Sequence, residues 1–278
     1  MNALVRDPSK PAALELKRPG VELCVGNFDD IEPLKEATEG TSAVFLNLVP
    51  SFPDTESEVQ YAKNVIQAAE EAGTVTSIVY SSVTMTGKHE TFPGWGPGYP
   101  MGWYWTSKAA IESLVKQSGF KHRTILRPAF LMYNYLSPKA DHMFPDLPGR
   151  NVFRTAYRPD CAMTVLDPDD VGKFATAAFS NPEAFNEHEI DLGVEALTPD
   201  EISQSLSRIS GKNITIEFYT ADEAASISKV NPVISAQLWA NDVGYQVDTK
   251  ALSKYWVQLT SFYEYFQKHK DLVQKTFK

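Results

Sequence analysis

Ser42-Ala43-Val44-Phe45-Leu46-Asn47-Leu48 is a mostly apolar run that predicts a β-strand buried on both faces. Residues 56–72 follow it and predict an amphipathic helix, because apolar side chains recur on one side: Val59, Ala62, Val65, Ile66 and Ala69. The next apolar run, Ser77-Ile78-Val79-Tyr80-Ser81, predicts another strand. A strand, a helix and a strand in this order indicate a parallel sheet with crossover helices.

The same alternation extends to both sides of this stretch. Short strands are predicted at residues 2–5 and 21–25 before it and at 123–126 after it, with helical patterns between them. The fold class predicted is therefore α/β, with a Rossmann-like doubly wound parallel sheet. After Pro128 the periodicity weakens, which indicates a smaller α/β lobe. Near the chain's end, Trp256, Phe262 and Phe266 are close to helical spacing and are predicted to lie in the core.

Composition limits the classes of partner. Of the 278 residues, 43% are hydrophobic and 22% charged, which is typical of a globular protein with a sizeable core. The net charge of -9 and the absence of a basic block argue against nucleic acid and against an anionic membrane surface. No apolar run reaches the length of a membrane span, and residues 1–7 lack the pattern of a signal peptide, so we expect a cytoplasmic protein.

The two cysteines predict no special chemistry. Cys24 lies in an apolar, strand-like run and is expected to be a small buried hydrophobe rather than a redox group. Neither Cys24 nor Cys161 belongs to a Cys/His pattern with metal-ligand spacing, so no metal site is expected.

Several short segments occur in an order that resembles the NmrA-like family of atypical short-chain dehydrogenases, especially its fungal members. The similarity extends over residues 2 to about 215. The segments that carry it are Ala3-Leu4-Val5-Arg6-Asp7-Pro8-Ser9-Lys10, residues 20–30, Leu126-Arg127-Pro128-Ala129-Phe130 with Asn134, Asp169-Asp170-Val171-Gly172, and Leu197-Thr198-Pro199-Asp200-Glu201-Ile202. Each is weak alone, and the ordered set is specific for the family but not for a reaction.

The resemblance also predicts a missing element. Family members open with a strand and a Gly-x-x-Gly-x-x-Gly turn whose backbone N–H groups approach the cofactor pyrophosphate. This sequence contains no such pattern, and Met1 stands one βα unit later than the family's start. A truncated sequence is favoured over true loss of the unit, because unpaired edges of central strands are costly. We therefore expect residues 1–130 to form an incomplete dinucleotide-binding core and residues 131–278 to form a substrate-binding lobe, partly interleaved with the core.

Tyr104-Trp105-Thr106-Ser107-Lys108 is the sharpest local signal, because the i, i+4 spacing places a phenol and an ammonium on one helix face. A nearby ammonium favours the phenolate and so assists proton transfer. By resemblance to such dehydrogenases, Tyr104 is the general acid/base and Lys108 also holds the nicotinamide ribose. The same resemblance gives Ser82, or alternatively Thr84, the role of polarising the substrate carbonyl. The alternative is an ordinary amphipathic helix with an aromatic start.

The resemblance also implies a set of cofactor-binding residues and favours NADP over NAD. Arg6 and Lys10 would meet the adenosine 2′-phosphate, since arginine suits bidentate phosphate contact. Asn27, at a position where the family usually has Asp, would flank the adenine together with Phe28. The remaining residues would line the cofactor trough: Asn47, Val49, Pro50 and Pro128. Solvated turns and ordinary packing at strand ends are the alternatives for these positions.

Residues 91–103 form an unusual segment rich in aromatic residues, Pro and Gly, immediately before Tyr104. One interpretation is a wall for an aromatic or polyketide-like substrate, with Tyr133 and Asn134 facing the same cavity. The candidate substrate residues are Trp95, Tyr99, Trp103, Tyr133 and Asn134. The other interpretation is packing against the second lobe or against a partner in a homodimer.

Three functions remain open. The first is an NADP-dependent reductase of a small carbonyl or enone, with an aromatic substrate favoured. The second is a redox-neutral isomerase, dehydratase or cyclase on the same scaffold, which the missing glycine turn favours. The third is a non-enzymatic regulator that senses a nucleotide or binds a partner protein. An intact Tyr104 and Lys108 pair favours an enzyme over this third class.

Overall fold

A computed structural model describes residues 1–50 and 56–278 of the chain. The strands are β1 (Asn2–Val5), β2 (Glu22–Val25), β3 (Ala43–Asn47), β4 (Ser77–Ser81), β5 (His122–Pro128), β6 (Phe130–Leu131), β7 (Val152–Thr155), β8 (Met163–Leu166), β9 (Glu189–Leu192), β10 (Glu195–Leu197) and β11 (Thr215–Phe218).

Helices stand between most of these strands, as a crossover architecture requires. They are α1 (Pro11–Leu16), α2 (Ile31–Thr38), α3 (Ser57–Glu71), α4 (Gly102–Gln117), α5 (Ala140–Met143), α6 (Leu147–Arg150), α7 (Pro168–Ser180), α8 (Pro182–Phe185), α9 (Pro199–Ser210), α10 (Ala221–Ser228), α11 (Pro232–Asp242), α12 (Phe262–Lys268) and α13 (Lys270–Thr276).

The described chain divides into two compact units. The first comprises residues 1–50, 56–82, 103–126 and 175–190, and the second comprises residues 83–102, 127–174 and 191–278. The division into a cofactor core and a substrate lobe remains a prediction, because a division by compactness does not test what each part binds.

Parallel strands organise the first unit. β1 pairs with β2 in parallel, from Asn2 opposite Glu22 to Val5 opposite Val25. A separate sheet has the order β3-β4-β5-β9, in which β3, β4 and β5 are parallel. All five residues of β4 are buried, since both faces of an inner strand of a parallel sheet are covered.

β3 is not buried on both faces as predicted. Val44 and Leu46 share one face and contact the core, whereas Phe45 on the other face is 43% exposed and Asn47 is exposed. The reason lies in the pairing: within the described residues, β3 is hydrogen-bonded to β4 and not to the sheet of β1 and β2.

The prediction that Cys24 is a buried hydrophobe holds only in part. Cys24 is half-buried rather than fully buried, and burial raises the pKa of its thiol.

The core of this unit joins Leu34 of α2, Leu46 of β3, Ile78 of β4 and Ile125 of β5 to the apolar side of α3. This arrangement places the start of α3 and the side of α4 next to the ends of β3 and β4.

The second unit contains the sheet β10-β8-β6 and the parallel pair β7 and β11. Several of its helices begin with a capping box that satisfies free N–H groups, as Thr198 and Glu201 do at α9. Aromatic rings fill its core, where Tyr135 stacks on Phe144 at 5.2 Å and lies 5.8 Å from Phe262.

The prediction that Trp256 lies in the core is wrong. Its side chain is 94% exposed, whereas Phe262 and Phe266 are buried as expected. Helical spacing failed here because Trp256 does not belong to the helix of the other two. It follows a short 3₁₀ segment, has a left-handed backbone conformation with φ of 55°, and precedes α12 by several residues.

The described residues lack two features, a membrane-spanning helix and a group of metal ligands. Across residues 1–50 and 56–278, no helix has the length and apolar character needed to cross a membrane. In the same part of the chain, no three or more His, Cys, Asp or Glu side chains are grouped as metal ligands would be.

Candidate functional site

Tyr104 and Lys108 lie one turn apart on α4, and their side chains come together. The Lys108 ammonium is 5.8 Å from the centre of the Tyr104 ring. It is also 6.0 Å from the ring of Tyr80, which comes from β4. The first unit thus joins the predicted phenol and ammonium near a second phenol that the sequence did not single out.

Lys108 is almost fully buried and is bound to a carboxylate. Its Nζ lies 2.5 Å from Oε1 of Glu58, and the two side chains are 4% and 2% exposed. Nζ also donates to the backbone oxygen of Leu48 at 3.3 Å. Ser107 Oγ donates to the other oxygen of Glu58 at 3.0 Å. Both carboxylate oxygens of Glu58 are therefore held by α4.

Tyr80 is a buried phenol that faces this charged group. Burial raises the pKa of Tyr80 well above its usual range, and the negative charge of Glu58 and the nearby Tyr104 raise it further. Tyr80 therefore stays protonated at any ordinary pH, and we regard it as a neutral wall of the site.

The two hydroxyl candidates are bound to carboxylates. Ser82 Oγ donates to Oε1 of Glu112 at 2.7 Å, within the first unit. Thr84 Oγ1 donates to Oδ1 of Asp191 at 3.0 Å, within the second unit. A hydroxyl has one proton to donate, so polarising a substrate carbonyl requires either bond to be exchanged. The carbonyl-polarising role of Ser82 or Thr84 stays a prediction.

Arg6 and Lys10 flank the turn that follows β1. Both side chains are exposed, and Lys10 lies 4.0 Å from Asp7. Hydrogen bonds from the hydroxyl and the backbone N–H of Ser9 lower the pKa of Asp7, so this carboxylate is ionised and fixes the turn. Two exposed cations at the end of a parallel strand fit the 2′-phosphate role that the sequence predicts.

Asn27 and Phe28 follow β2, at the matching end of the neighbouring strand. Asn27 Oδ1 accepts from the backbone N–H groups of Asp29 and Asp30 at 2.8 and 3.1 Å. The half-buried Phe28 ring lies 5.8 Å from Tyr61. Asn27 thus shapes the turn before α2, and Phe28 offers a ring face of the kind that a purine stacks on.

The remaining trough residues also stand at strand ends. Asn47 ends β3 and is exposed, Val49 is 77% exposed, and Pro50 is half-buried. Pro128 ends β5, belongs to the second unit, and accepts from Thr84 N–H at 3.1 Å. Asn47 and Val49 are accessible to a ligand, and Pro128 is buried.

The aromatic segment before α4 is anchored in the second unit. Phe92 is buried, with ring centres 5.8 Å from Trp239 and 6.2 Å from Trp95. Tyr99 lies 4.9 Å from Trp95, and both remain half-buried. Packing therefore explains Phe92, and Trp95 and Tyr99 keep partly open ring surfaces.

Tyr133 and Asn134 also belong to the second unit and are half-buried. Burial raises the pKa of Tyr133, and the Lys139 ammonium lies 5.9 Å from its ring. Their contact with a substrate stays a prediction.

Trp103 belongs to the first unit, where it lines a groove of about 720 Å³ between α3 and α4. The groove is also lined by Ser57 and Thr106, and by Ser107, whose hydroxyl binds Glu58. A substrate role for Trp103 stays a prediction, and the described lining identifies no occupant.

The sequence did not predict three residues of this site: Glu58, Glu112 and Tyr80. Glu58 carried a usable signal, because it falls on the same helical stripe as Ala62, Val65 and Ala69, which are buried. A carboxylate on an apolar stripe needs a partner, since an unpaired buried charge is very costly.

A profile of the NmrA-like family matches residues 1–266. The chain belongs to the NmrA-like family. Its likeness to the nitrogen metabolite repression protein of Emericella nidulans is 29% identity over 204 residues, which is 71% of this chain. That match spans 54% of the relative's length, so this chain corresponds to about half of that protein.

Two other similar proteins are named as a reductase and an oxidoreductase. A (4-alkanoyl-5-oxo-2,5-dihydrofuran-3-yl)methyl phosphate reductase of Streptomyces griseus is 27% identical over 229 residues, covering 81% of this chain and 73% of that one. The crystal structure of an NADPH-dependent quinone oxidoreductase of Escherichia coli, complexed with NADPH, matches with a TM-score of 0.72. The match covers 97% of this chain and 90% of that one at 24% identity, and so supports the Rossmann-like fold alone.

Proposed function

We propose that this chain is an NADP-dependent reductase of a small carbonyl or enone. The observation that carries the proposal is the distance of 5.8 Å between the Lys108 ammonium and the Tyr104 ring. A half-buried phenol held beside a buried ammonium is suited to donate a proton, because the ammonium stabilises the negative charge left on oxygen.

The described residues fit part of the cofactor. Arg6 and Lys10 supply exposed cations for a phosphate, Phe28 supplies a ring face, and Lys108 supplies N–H donors for a ribose hydroxyl. The sequence contains no glycine-rich turn for the pyrophosphate. When bound, NADPH supplies the hydride; Tyr104 delivers the proton, and Lys108 orients the ribose.

Two observations support the substrate class. The relative in Streptomyces griseus is named as the reductase of a compound in which a ring double bond is conjugated with carbonyl groups. In this chain, Trp95 and Tyr99 present half-buried rings, which suit a flat, conjugated substrate. We therefore propose that the substrate is a small conjugated enone or quinone.

The test is NADPH oxidation with a panel of quinones and cyclic enones, using the chain and its Tyr104→Phe variant. General acid catalysis contributes roughly a hundredfold or more, so kcat should fall by about that factor in Tyr104→Phe. Tyr263→Phe serves as control, because Tyr263 is 44% exposed and lies outside the site. Equal turnover by wild type and Tyr104→Phe overturns the role of Tyr104.

A nucleotide-sensing regulator is the second candidate. It is favoured by the carboxylate contacts of Ser82 and Thr84, which occupy hydroxyl donors that a reductase would turn towards its substrate. The similarity to a protein of Emericella nidulans that is named as a repression protein also supports a regulator. Nucleotide binding without turnover of any panel member, and unchanged by Tyr104→Phe, would favour this candidate.

A further inference from the structure

Glu58 is a buried carboxylate that the proposed reaction does not yet use. It stands in the first turn of α3, and α4 holds both of its oxygens: Lys108 binds Oε1 at 2.5 Å and Ser107 binds Oε2 at 3.0 Å. Side chains that are 4% and 2% exposed gain little from water, so each depends on the other for its charge.

Among the residues that the structure describes, Glu58 is the carboxylate that binds Lys108. The backbone oxygen of Leu48 faces it from beyond β3, the Tyr80 ring from β4, and the Tyr104 ring from its own helix. Glu112, one turn farther along α4, is bound to Ser82 and lies 3.8 Å from Lys116. Burial without a counter-ion favours a neutral amine, and a neutral amine neither attracts a ribose hydroxyl strongly nor stabilises a phenolate.

We propose that Glu58 is a positioning residue that keeps Lys108 charged and fixed beside Tyr104, so that cofactor binding through Lys108 depends on Glu58. An ammonium has three N–H donors, and Glu58 and Leu48 take two of them. With these two donors held by described residues, the third has a set direction that suits a ribose hydroxyl. This inference rests on the proposed function.

A competing arrangement gives the opposite result. If Glu58 held Lys108 away from the cofactor, the ion pair would have to break before NADPH bound. Removing the carboxylate would then tighten NADPH binding, whereas a positioning role makes the same change weaken it. The sign of the change in NADPH affinity distinguishes the positioning role from this competing arrangement.

The experiment is calorimetric titration of NADPH into wild type, Glu58→Gln and Ser107→Ala between about pH 7 and pH 9.5, where the 2′-phosphate stays ionised. In Glu58→Gln the buried ammonium loses its counter-charge and its fixed position, so NADPH affinity should be about tenfold or more weaker than in wild type across this range. Ser107→Ala removes one contact of Glu58 and leaves its charge, so its affinity should follow the wild type over the same range. Circular dichroism checks that each variant is folded.

Each outcome decides between the alternatives. NADPH affinity in Glu58→Gln that equals or exceeds the wild type at every pH overturns the positioning role while leaving the proposed function intact. No NADPH binding by the wild type overturns the proposed function and this inference together. If Glu58→Gln does not fold, Glu58→Asp replaces it: the shorter carboxylate withdraws from Nζ, so weaker NADPH binding is expected, and unchanged binding overturns the inference.

Discussion

Lys108 and Glu58 form an ion pair of 2.5 Å between α4 and α3, and both side chains are almost completely buried. Deleting one partner leaves an unpaired buried charge, whereas deleting both leaves none. We expect Glu58→Gln and Lys108→Met each to lower the free energy of unfolding by about 3 kcal/mol. The double variant should lose less than the sum of the two losses. Urea unfolding of the four proteins measures this coupling, and additive losses would show that the pair is not coupled.

Arg6 should set the preference for NADP over NAD. A charge-assisted contact with the 2′-phosphate contributes about 1.5–3 kcal/mol, so Arg6→Ala should weaken NADPH binding by roughly tenfold or more. NADH binding should change little, because NADH lacks that phosphate. Dissociation constants for both nucleotides give the ratio, and Lys17→Ala serves as a control, since Lys17 is also basic and exposed. An equal effect of Arg6→Ala on both nucleotides would exclude the assigned contact.

Asp167 should make stability depend on pH in a predictable direction. Burial raises the pKa of its carboxyl, and the Asp169 N–H that donates to it at 2.8 Å only partly offsets this. The folded chain therefore binds this proton more tightly than the unfolded chain. The contribution of Asp167 to stability falls as the pH rises from the usual aspartate range through its folded pKa.

Asp167→Asn removes that proton equilibrium. The free energy of unfolding of Asp167→Asn, relative to that of wild type, should therefore be larger at neutral pH than at about pH 4. The lowered pKa of Asp169, caused by Lys268, acts in the opposite sense but is present in both proteins. Parallel stability curves across this pH range would contradict the assignment.

Phe92 and Trp256 should differ sharply in their importance for stability, although both are large aromatic residues. Phe92 is 4% exposed and packs against Trp239, whereas Trp256 is 94% exposed. Phe92→Ala should cost about 3–5 kcal/mol of unfolding free energy, and Trp256→Ala less than about 0.5. Thermal unfolding of both variants provides the comparison, and a large loss in Trp256→Ala would mean that its ring is covered in solution.

The sequence was most informative where local pattern and tertiary environment agree. The strand and helix run over residues 42–81 predicted β3, α3 and β4, and the i, i+4 spacing of Tyr104 and Lys108 predicted their common face on α4. It failed for Phe45, because the covering of a strand's face depends on neighbours that are distant in the sequence. It failed for Trp256, because spacing alone does not show that the intervening residues are non-helical.

The charged partners could not be read from spacing. Glu58 and Lys108 are 50 residues apart, and Ser82 and Glu112 are 30 apart, so each pair forms only when the sheet brings separate helices and strand ends together. A search for carboxylates on apolar helical stripes would have found Glu58 as a residue in need of a partner. It would not have identified Lys108 as that partner.

Calorimetric titration of NADPH and NADH into the folded 278-residue chain tests the central claim most directly. We expect micromolar binding of NADPH and distinctly weaker binding of NADH, because we propose that Arg6 and Lys10 bind the 2′-phosphate and that Lys108 binds the ribose. A folded chain that gives no heat of binding with NADPH would contradict the account.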